Sequence, residues 1–300
     1  MRAVDWLMMV LLSLVWGGTF FFVAVAVQEI PPVTLVLTRC VIAVAVLAPP
    51  LLLLGFEFPK TRATWRNYAV MAILNNVLPF TMIFYAQRHI PGGLASVLNA
   101  TTPLMSLLVL RFIAGEPLTA NKLAGVLIGL AGVAILIGPS AFAGTSVEAV
   151  VSMIVCLLAT VFYGLSGLWG RRLTGYAAPV SAASQLTCSM LILLPIAAVV
   201  DRFWTLPMPS RPVILAVLGL SILSTALAYI LFFRILASAG ALNVMLVTLL
   251  VPFTSIALGV LVLGETLLAH QIVGAIVIGV SLLVIDGRIF GIAQAPARSG

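Results

Sequence analysis

The sequence has few charged residues, and this scarcity restricts its fold class. Of 300 residues, 15 are Lys or Arg and 8 are Asp or Glu, so charged side chains make up 8% of the chain. An ordinary globular protein has about 25%, and a water-exposed surface about 25–35%. A soluble protein of this length is therefore excluded. Because 63% of the residues are hydrophobic, the solvent is expected to be lipid, with room for roughly nine or ten spans.

Residues for metal binding and acid–base chemistry are also scarce. Cys40, Cys156 and Cys188 each lie in an apolar run, with no other Cys or His at metal-ligand spacing, and are expected to be small core residues. Both histidines and all acidic residues fall near span ends or in loops. No intramembrane hydrolase site or buried proton relay is supported. We expect a non-enzyme with no catalytic residue, metal or cofactor. The scattered basic residues predict no nucleic-acid partner.

Pro, Gly and charge clusters divide the chain into ten apolar segments with short connections, which leaves no soluble domain. The first set is Trp6 to Val27, Pro32 to Leu54, Tyr68 to Gln87, Gly92 to Ile113 and Thr119 to Gly138. The second set is Val147 to Trp169, Ala177 to Val200, Val213 to Leu236, Ala241 to Leu263 and Ala269 to Ile285. The first segment exceeds a signal-peptide core in length and lacks a cleavage site, so it is predicted to remain as a helix.

The two sets of five segments are related in sequence. At a shift of 149 residues the alignment matches Pro103 with Pro252, Gly115-Glu116 with Gly264-Glu265, and Gly125 with Gly274. Nearer the start, a shift of 147 places Trp16-Gly17 on Tyr163-Gly164. Because five is odd, the second set enters the bilayer from the opposite side. The predicted fold is an all-α membrane protein of ten transmembrane helices in two inverted repeats, 1–139 and 147–287, with a tail at 288–300.

The basic residues predict the orientation. With the N-terminus inside, eleven of the 15 lie on cytoplasmic segments, three lie outside, and Arg39 alone falls within a span. The positive-inside rule then places both termini in the cytoplasm.

The sequence resembles a known family at several of these motifs. The mid-helix Pro, the helix-ending Gly-Glu, the following glycine-rich helix, the opening Leu14-Val15-Trp16-Gly17-Gly18-Thr19 and Arg39 are similar to the EamA domains of the drug/metabolite transporter superfamily. In overall character the chain resembles bacterial amino-acid exporters, including exporters of aromatic amino acids. The resemblance implies a monomer-sized bundle around a central cavity with alternating access, which exports small metabolites across the inner membrane.

Interrupted helices indicate where a substrate would bind. Pro103 and Pro252 each remove a backbone hydrogen bond and free a carbonyl, near Asn99 and Thr248 respectively. Two interruptions at corresponding places in the halves are typical of a midplane site. A kink satisfied by Ser or Thr hydroxyls is the alternative.

The candidate substrate-binding residues share a polar or aromatic side chain, or a helix-breaking ring, within a predicted span. They are Trp16, Asn75, Asn76, Tyr85, Asn99, Thr102, Pro103, Tyr163, Trp169, Ser224, Tyr229, Thr248 and Pro252. For the two neighbouring asparagines, a structural interhelical hydrogen bond is equally open. For Trp169, anchoring at the membrane interface competes with substrate contact.

Three charged residues have alternative roles. Arg39 lies about 10 Å from the outer end of its span by helix rise. Arg39 could bind a substrate carboxylate. Alternatively, it could have a structural role, in which its side chain pairs with backbone carbonyls or extends to the membrane surface, and we expect this structural role. Glu116 and Glu265 are predicted to cap the helices that follow them.

The expected function is export of an amino-acid-like metabolite, neutral or aromatic, by facilitated diffusion. A drug exporter, a sugar or nucleotide carrier and a channel are the alternatives. Gly125 and Gly129 form a G-x-x-x-G, which is predicted to pack within the bundle of a functional monomer.

Overall fold

The structure is a computed structural model that describes residues 3–137, 146–173, 175–239 and 241–286. All regular elements within these ranges are helical. Six of them have the length and composition to cross a membrane: Trp6–Ala26, Pro32–Leu53, Arg62–Ala86, Gly92–Ile113, Val147–Gly170 and Ala178–Val200. Four shorter apolar helices lie at Ala120–Leu136, Arg211–Leu227, Leu250–Leu263 and Ala269–Ile285. The all-helical membrane class is confirmed.

Thirteen α-helices are numbered along these ranges. They are α1 Ala3–Ala26, α2 Pro32–Leu53, α3 Arg62–Ala72, α4 Leu78–Ala86, α5 Gly92–Asn99, α6 Thr102–Ile113, α7 Ala120–Ile137, α8 Val147–Gly170, α9 Ala178–Val200, α10 Arg211–Leu218, α11 Ala228–Ala239, α12 Ala241–Leu263 and α13 Ala269–Asp286. The third predicted segment starts earlier than expected, because the Thr61 hydroxyl accepts from the backbone N–H of Thr64 and caps α3.

Helices of the first half pack mainly against helices of the second. α7 packs along α13, α2 along α9, and α1 along α12, while α8 packs on α4 and α6. Glycine permits the closest approaches. A Cβ added at Gly132 would lie 2.9 Å from the backbone nitrogen of Ile278, and one at Gly274 would lie 2.6 Å from Cα of Leu136. Small residues therefore serve packing within the bundle, as predicted.

Two spans contain a π-helical segment that the sequence did not predict. Ile73–Val77 separates α3 from α4, and Gly219–Leu227 separates α10 from α11. They occupy corresponding places in the two halves. π-Helical turns shift the backbone hydrogen bonds and are frequent at functional sites.

The predicted interruptions at proline are half correct. Before Pro103, α5 ends at Asn99 and α6 begins at Thr102. Around Pro252, in contrast, α12 is continuous from Ala241 to Leu263, so the predicted interruption there is wrong. A proline removes one backbone hydrogen bond, and a helix continues through it where neighbouring helices support the backbone.

Gly115 and Gly264 end α6 and α12 in the left-handed conformation, with φ of +70° and +67°, which glycine adopts without strain. The glutamates that follow do not cap the next helix, so that prediction is wrong. The Glu265 carboxylate instead accepts from the backbone N–H groups of Gly92 (2.8 Å) and Gly93 (3.1 Å), at the start of α5 in the other half. Glu116 pairs with Arg171 at 2.8 Å.

Candidate functional site

Arg39, on α2, is a buried cation with few polar partners. Its side chain is 6% exposed, and its Nε donates to the Thr225 hydroxyl at 2.9 Å. Its guanidinium carbon lies 4.2 Å from the centre of the Phe80 ring, where the face of the ring attracts a cation. Its Nη1 is buried and has no hydrogen-bond partner. The π-helical segment helps to form this site, because Thr225 lies within it and donates to the carbonyl of Leu220 at 3.0 Å.

Two phenylalanine rings lie beside the guanidinium, whose carbon is 4.2 Å from the centre of Phe80 and 6.0 Å from that of Phe84. Phe80 stacks on Phe84, with ring centres 6.1 Å apart and planes 9° apart. Tyr163 of α8 and Tyr229 of α11 lie close enough to Arg39 to interact with it electrostatically. The structure therefore brings two predicted site residues, Tyr163 and Tyr229, to the same cation. Residues from both halves of the chain build this arginine–aromatic cluster.

Trp16 and Ser224 connect α1 to the same region. The Trp16 ring lies 5.9 Å from that of Phe232 on α11. The Ser224 hydroxyl donates to the carbonyl of Val15 at 2.8 Å. Because this hydroxyl already has a partner, Ser224 holds α1 against the π-helical segment, whereas Trp16 packs its indole against Phe232 of α11.

The paired asparagines have different surroundings. Asn76 is 1% exposed, and its amide is bonded at both ends, donating to Ser189 at 2.9 Å and accepting from Gln185 at 2.9 Å. It forms the structural interhelical link that the sequence left open. Asn75 is partly buried and accepts from the Ser166 hydroxyl at 3.0 Å, which places it within one turn of Tyr163 on α8.

The interruption before Pro103 contains a buried acceptor without a donor. The hydroxyl of Thr102 donates to the carbonyl of Asn99 at 2.6 Å, and that of Thr101 donates to the carbonyl of Leu98 at 2.7 Å. These bonds satisfy carbonyls at the end of α5, as hydroxyl back-bonding can. The Asn99 side-chain oxygen is buried and has no partner. Asn99 therefore offers an acceptor where the helix is interrupted.

Two predicted residues lie away from the cluster. Tyr85 is 40% exposed, and its ring packs against His89 with centres 5.4 Å apart, so the structure does not bring it to the site. Trp169 is at the end of α8, where its Nε1 donates to the carbonyl of Asn67 at 3.2 Å and the guanidinium of Arg172 lies 4.2 Å from its ring centre. These contacts at a helix end favour interface anchoring over substrate contact for Trp169.

The remaining two predicted residues are on α12. Pro252 is partly buried in the continuous helix. The side chain of Thr248 lies outside the described residues.

Sequence reasoning undervalued three parts of this cluster. The sequence predicts a structural role for Arg39, and neither Thr225 nor Phe80 is among the predicted site residues. A phenylalanine in an apolar span carries no signal of its own. The charge of Arg39 was the available signal, because any ring or hydroxyl packed against a buried cation becomes part of its site.

Comparison with known proteins identifies the family of this helical chain. The sequence model of the EamA-like transporter family matches residues 5–138 and again residues 150–286. The chain belongs to the EamA-like transporter family. Its match in two successive ranges agrees with the relatedness of the two halves in sequence.

Relatives of this EamA-like chain align over nearly its full length. Protein PecM of Dickeya dadantii is 26% identical, covering 91% of this chain and 89% of PecM. The uncharacterized inner membrane transporter YedA of Escherichia coli K12 is 27% identical, covering 93% and 90%. A "probable amino-acid metabolite efflux pump" of the same strain is 25% identical, covering 96% and 95%.

A crystal structure with a TM-score of 0.64 and 21% identity covers 96% of this chain and 99% of its own. It supports the fold. The arginine–aromatic cluster has an unsatisfied donor beside apolar rings, and Asn99 has an unsatisfied acceptor; groups of these kinds can replace the water that a transported solute loses.

Proposed function

We propose that this EamA-like transporter exports small metabolites of amino-acid size across the inner membrane by alternating access. The observation that carries the proposal is a pair of buried groups of opposite polarity without partners, Nη1 of Arg39 and the side-chain oxygen of Asn99. A buried unpaired polar group costs about 1–3 kcal/mol, and we propose that the two atoms serve one site, where a zwitterion would supply the missing acceptor and the missing donor. The aromatic cluster favours a neutral or aromatic side chain.

Alternating access requires two halves that rock about a site between them. We propose that the repeats 1–139 and 147–287 form ten transmembrane helices in an inverted arrangement around a central cavity, with residues 288–300 as a cytoplasmic tail. The reciprocal packing of α1 on α12 and of α8 on α6 supports this symmetry. Charge distribution supports cytoplasmic termini, and helix packing inside one chain supports a functional monomer.

We propose facilitated diffusion because no acidic side chain lies at mid-span in the described ranges. The described carboxylates are at helix ends or in loops: Glu29, Glu57, Glu116, Glu148, Asp201 and Glu265. A proton-coupled carrier usually has a buried acid. Efflux that stops when the proton gradient is removed would contradict this mechanism.

Efflux from proteoliposomes tests the function. Vesicles with the purified protein, loaded with a labelled amino acid, should release it saturably, and unlabelled amino acids should compete. Asn99→Ala should slow efflux roughly tenfold by removing the unpaired acceptor, whereas Ser152→Ala, which removes another buried and unpartnered polar atom, should not. Competition by drugs, sugars or nucleotides in place of amino acids would contradict the substrate class, and ohmic conductance would indicate a channel.

A further inference from the structure

Arg39 carries a charge that the described protein does not neutralise. The described ion pairs are Lys60 with Glu57 and Arg171 with Glu116, both exposed. The described carboxylates lie at helix ends, while Arg39 follows the start of α2 by about 10 Å of helix rise. Its bonded partner is a neutral hydroxyl and its stacked partner is a phenyl ring.

These partners leave the guanidinium incompletely compensated. An arginine has five N–H donors and no acceptor. A cation–π contact and one hydroxyl stabilise a buried cation only in part, because removing a charge from water is costly unless an opposite charge replaces the lost hydration. Nη1 is buried without any partner, so its hydrogen-bonding capacity is unsatisfied within the described protein.

We propose that Arg39 binds the carboxylate of the transported metabolite, with Nη1 donating to a carboxylate oxygen. This inference rests on the proposed function and names the substrate class: small organic acids with an apolar or aromatic body, the zwitterionic amino acids among them. Arg–carboxylate hydrogen bonds are charge-assisted and stronger than neutral ones. Phe80 and Phe84, whose ring centres lie 4.2 Å and 6.0 Å from the guanidinium carbon, provide the apolar surface against which the body of the solute packs.

Position distinguishes this role from a structural one. A structural arginine would have its donors paired with carbonyls or carboxylates, as Arg171 is with Glu116. Snorkelling to the surface would leave the guanidinium exposed, whereas Arg39 is 6% exposed. Thr225 fixes the orientation of the guanidinium through Nε and is a positioning residue.

The test compares solutes that share a phenyl body and differ at the carboxylate or at the amino group. Proteoliposomes are loaded with labelled L-phenylalanine, L-phenylalaninamide or 3-phenylpropionate, and efflux is measured for wild type, Arg39→Gln and Arg171→Gln. Wild type should release the two acids at least tenfold faster than the amide. Arg39→Gln should lose this preference, so that the acid and the amide move at similar rates, while Arg171→Gln keeps it.

The outcomes separate the two proposals. If wild type releases the amide as fast as it releases the acids, the carboxylate site is overturned and the proposal of export is unaffected. The same holds if Arg39→Gln still releases the acids faster than the amide. No efflux of any of these solutes would overturn amino-acid export and this inference with it. If thermal unfolding shows that Arg39→Gln does not fold, the carboxylate site is tested by two other measurements: the ratio of acid efflux to amide efflux in wild type, and the same ratio in Thr225→Val. Thr225→Val keeps the charge but frees Nε, and should reduce the acid preference severalfold.

Discussion

Glu265 and Glu116 hold the same position in the two halves of the chain, yet their carboxylates have different partners. Glu265 reaches the other half and accepts from two backbone N–H groups at the start of α5. Glu116 forms an exposed ion pair with Arg171, in which the side chains are 45% and 57% exposed. The first contact uses the partial positive charge of a helix N-terminus in a packed setting, and the second is a surface pair.

Glycine explains the difference. A Cβ at Gly259 would overlap the carboxylate of Glu265, and one at Gly93 would lie 3.4 Å from it. At the 149-residue shift, the residue equivalent to Gly259 is Leu110 and the equivalent of Gly93 is Leu242. Glu116 therefore lacks the two glycines that border the Glu265 carboxylate. Related halves can therefore keep a motif and lose the contact that it makes.

Two further carboxylates bridge the halves on the side of the molecule that carries Glu265. Asp201 accepts from the backbone N–H of Thr34 at 2.8 Å and from its hydroxyl at 2.7 Å. Glu29 accepts from the N–H of Ser210 at 2.7 Å, and Glu29 and Glu265 line the same surface cavity. We call Glu29, Asp201 and Glu265 the bridging carboxylates.

Removing the two glutamate side chains should have clearly different effects on the free energy of unfolding, and this is the largest difference that we expect. Glu265→Ala leaves the N–H groups of Gly92 and Gly93 without their acceptor and should lower the free energy of unfolding by roughly 2 kcal/mol. Glu116→Ala is the matched control and should change it by less than about 1 kcal/mol. Thermal unfolding in detergent measures both. Equal shifts for the two variants would contradict the comparison.

A smaller effect is expected from Gly259→Ala, which should displace the Glu265 carboxylate and destabilise the protein by about 1 kcal/mol. Gly167→Ala, at a helical glycine where an added Cβ meets nothing within 4 Å, should be neutral or stabilising. In a Glu265→Ala background, Gly259→Ala should add no further loss, which a double-mutant cycle reports. Additive losses would show that the glycine acts independently of the carboxylate.

The ion pair of Glu116 should contribute less to the free energy of unfolding than the Glu265 carboxylate or the glycine at Gly259. Because both side chains are more than a third exposed, solvent screens the attraction, and Arg171→Gln should cost at most a few tenths of a kcal/mol. High salt should remove this difference between wild type and variant. A loss comparable with that of Glu265→Ala would contradict the assignment of a surface pair.

The smallest effect concerns pH. The hydroxyl and N–H of Ser210 lower the pKa of the Glu29 carboxyl below its ordinary value. The contact is fully present above the ordinary value and is lost as the pH falls through the lowered one. Glu29→Gln should remove this acid-dependent part of the unfolding curve. A wild-type curve that gains stability on acidification in that range would contradict the sign.

Much of the fold could be predicted because membrane spans are encoded locally, in apolar runs closed by glycine and charge. Gly115 and Gly264 end their helices as expected. Pro103 marks an interruption and Pro252 does not, since a proline alone does not decide whether neighbouring helices support the backbone. No proline lies inside Gly219–Leu227, so nothing in the local sequence indicated its π-helical turns.

The site was less predictable because its contacts join distant residues. Arg39 and Thr225 are 186 positions apart, and Glu265 is 173 from Gly92. Sequence symmetry suggested the same role for Glu116 and Glu265, whereas the structure gives their carboxylates different partners. The charge of Arg39 was visible in the sequence, but the lack of a partner for Nη1 is a property of the packed helices.

Binding of L-phenylalanine by two arginine variants is the most direct test of the carboxylate site. Equilibrium binding of the labelled amino acid is measured on purified wild type, Arg39→Gln and Arg171→Gln, with unliganded thermal unfolding to verify folding. The predicted result is wild-type affinity for Arg171→Gln and roughly tenfold or greater loss for folded Arg39→Gln. Wild-type affinity in folded Arg39→Gln would contradict the account.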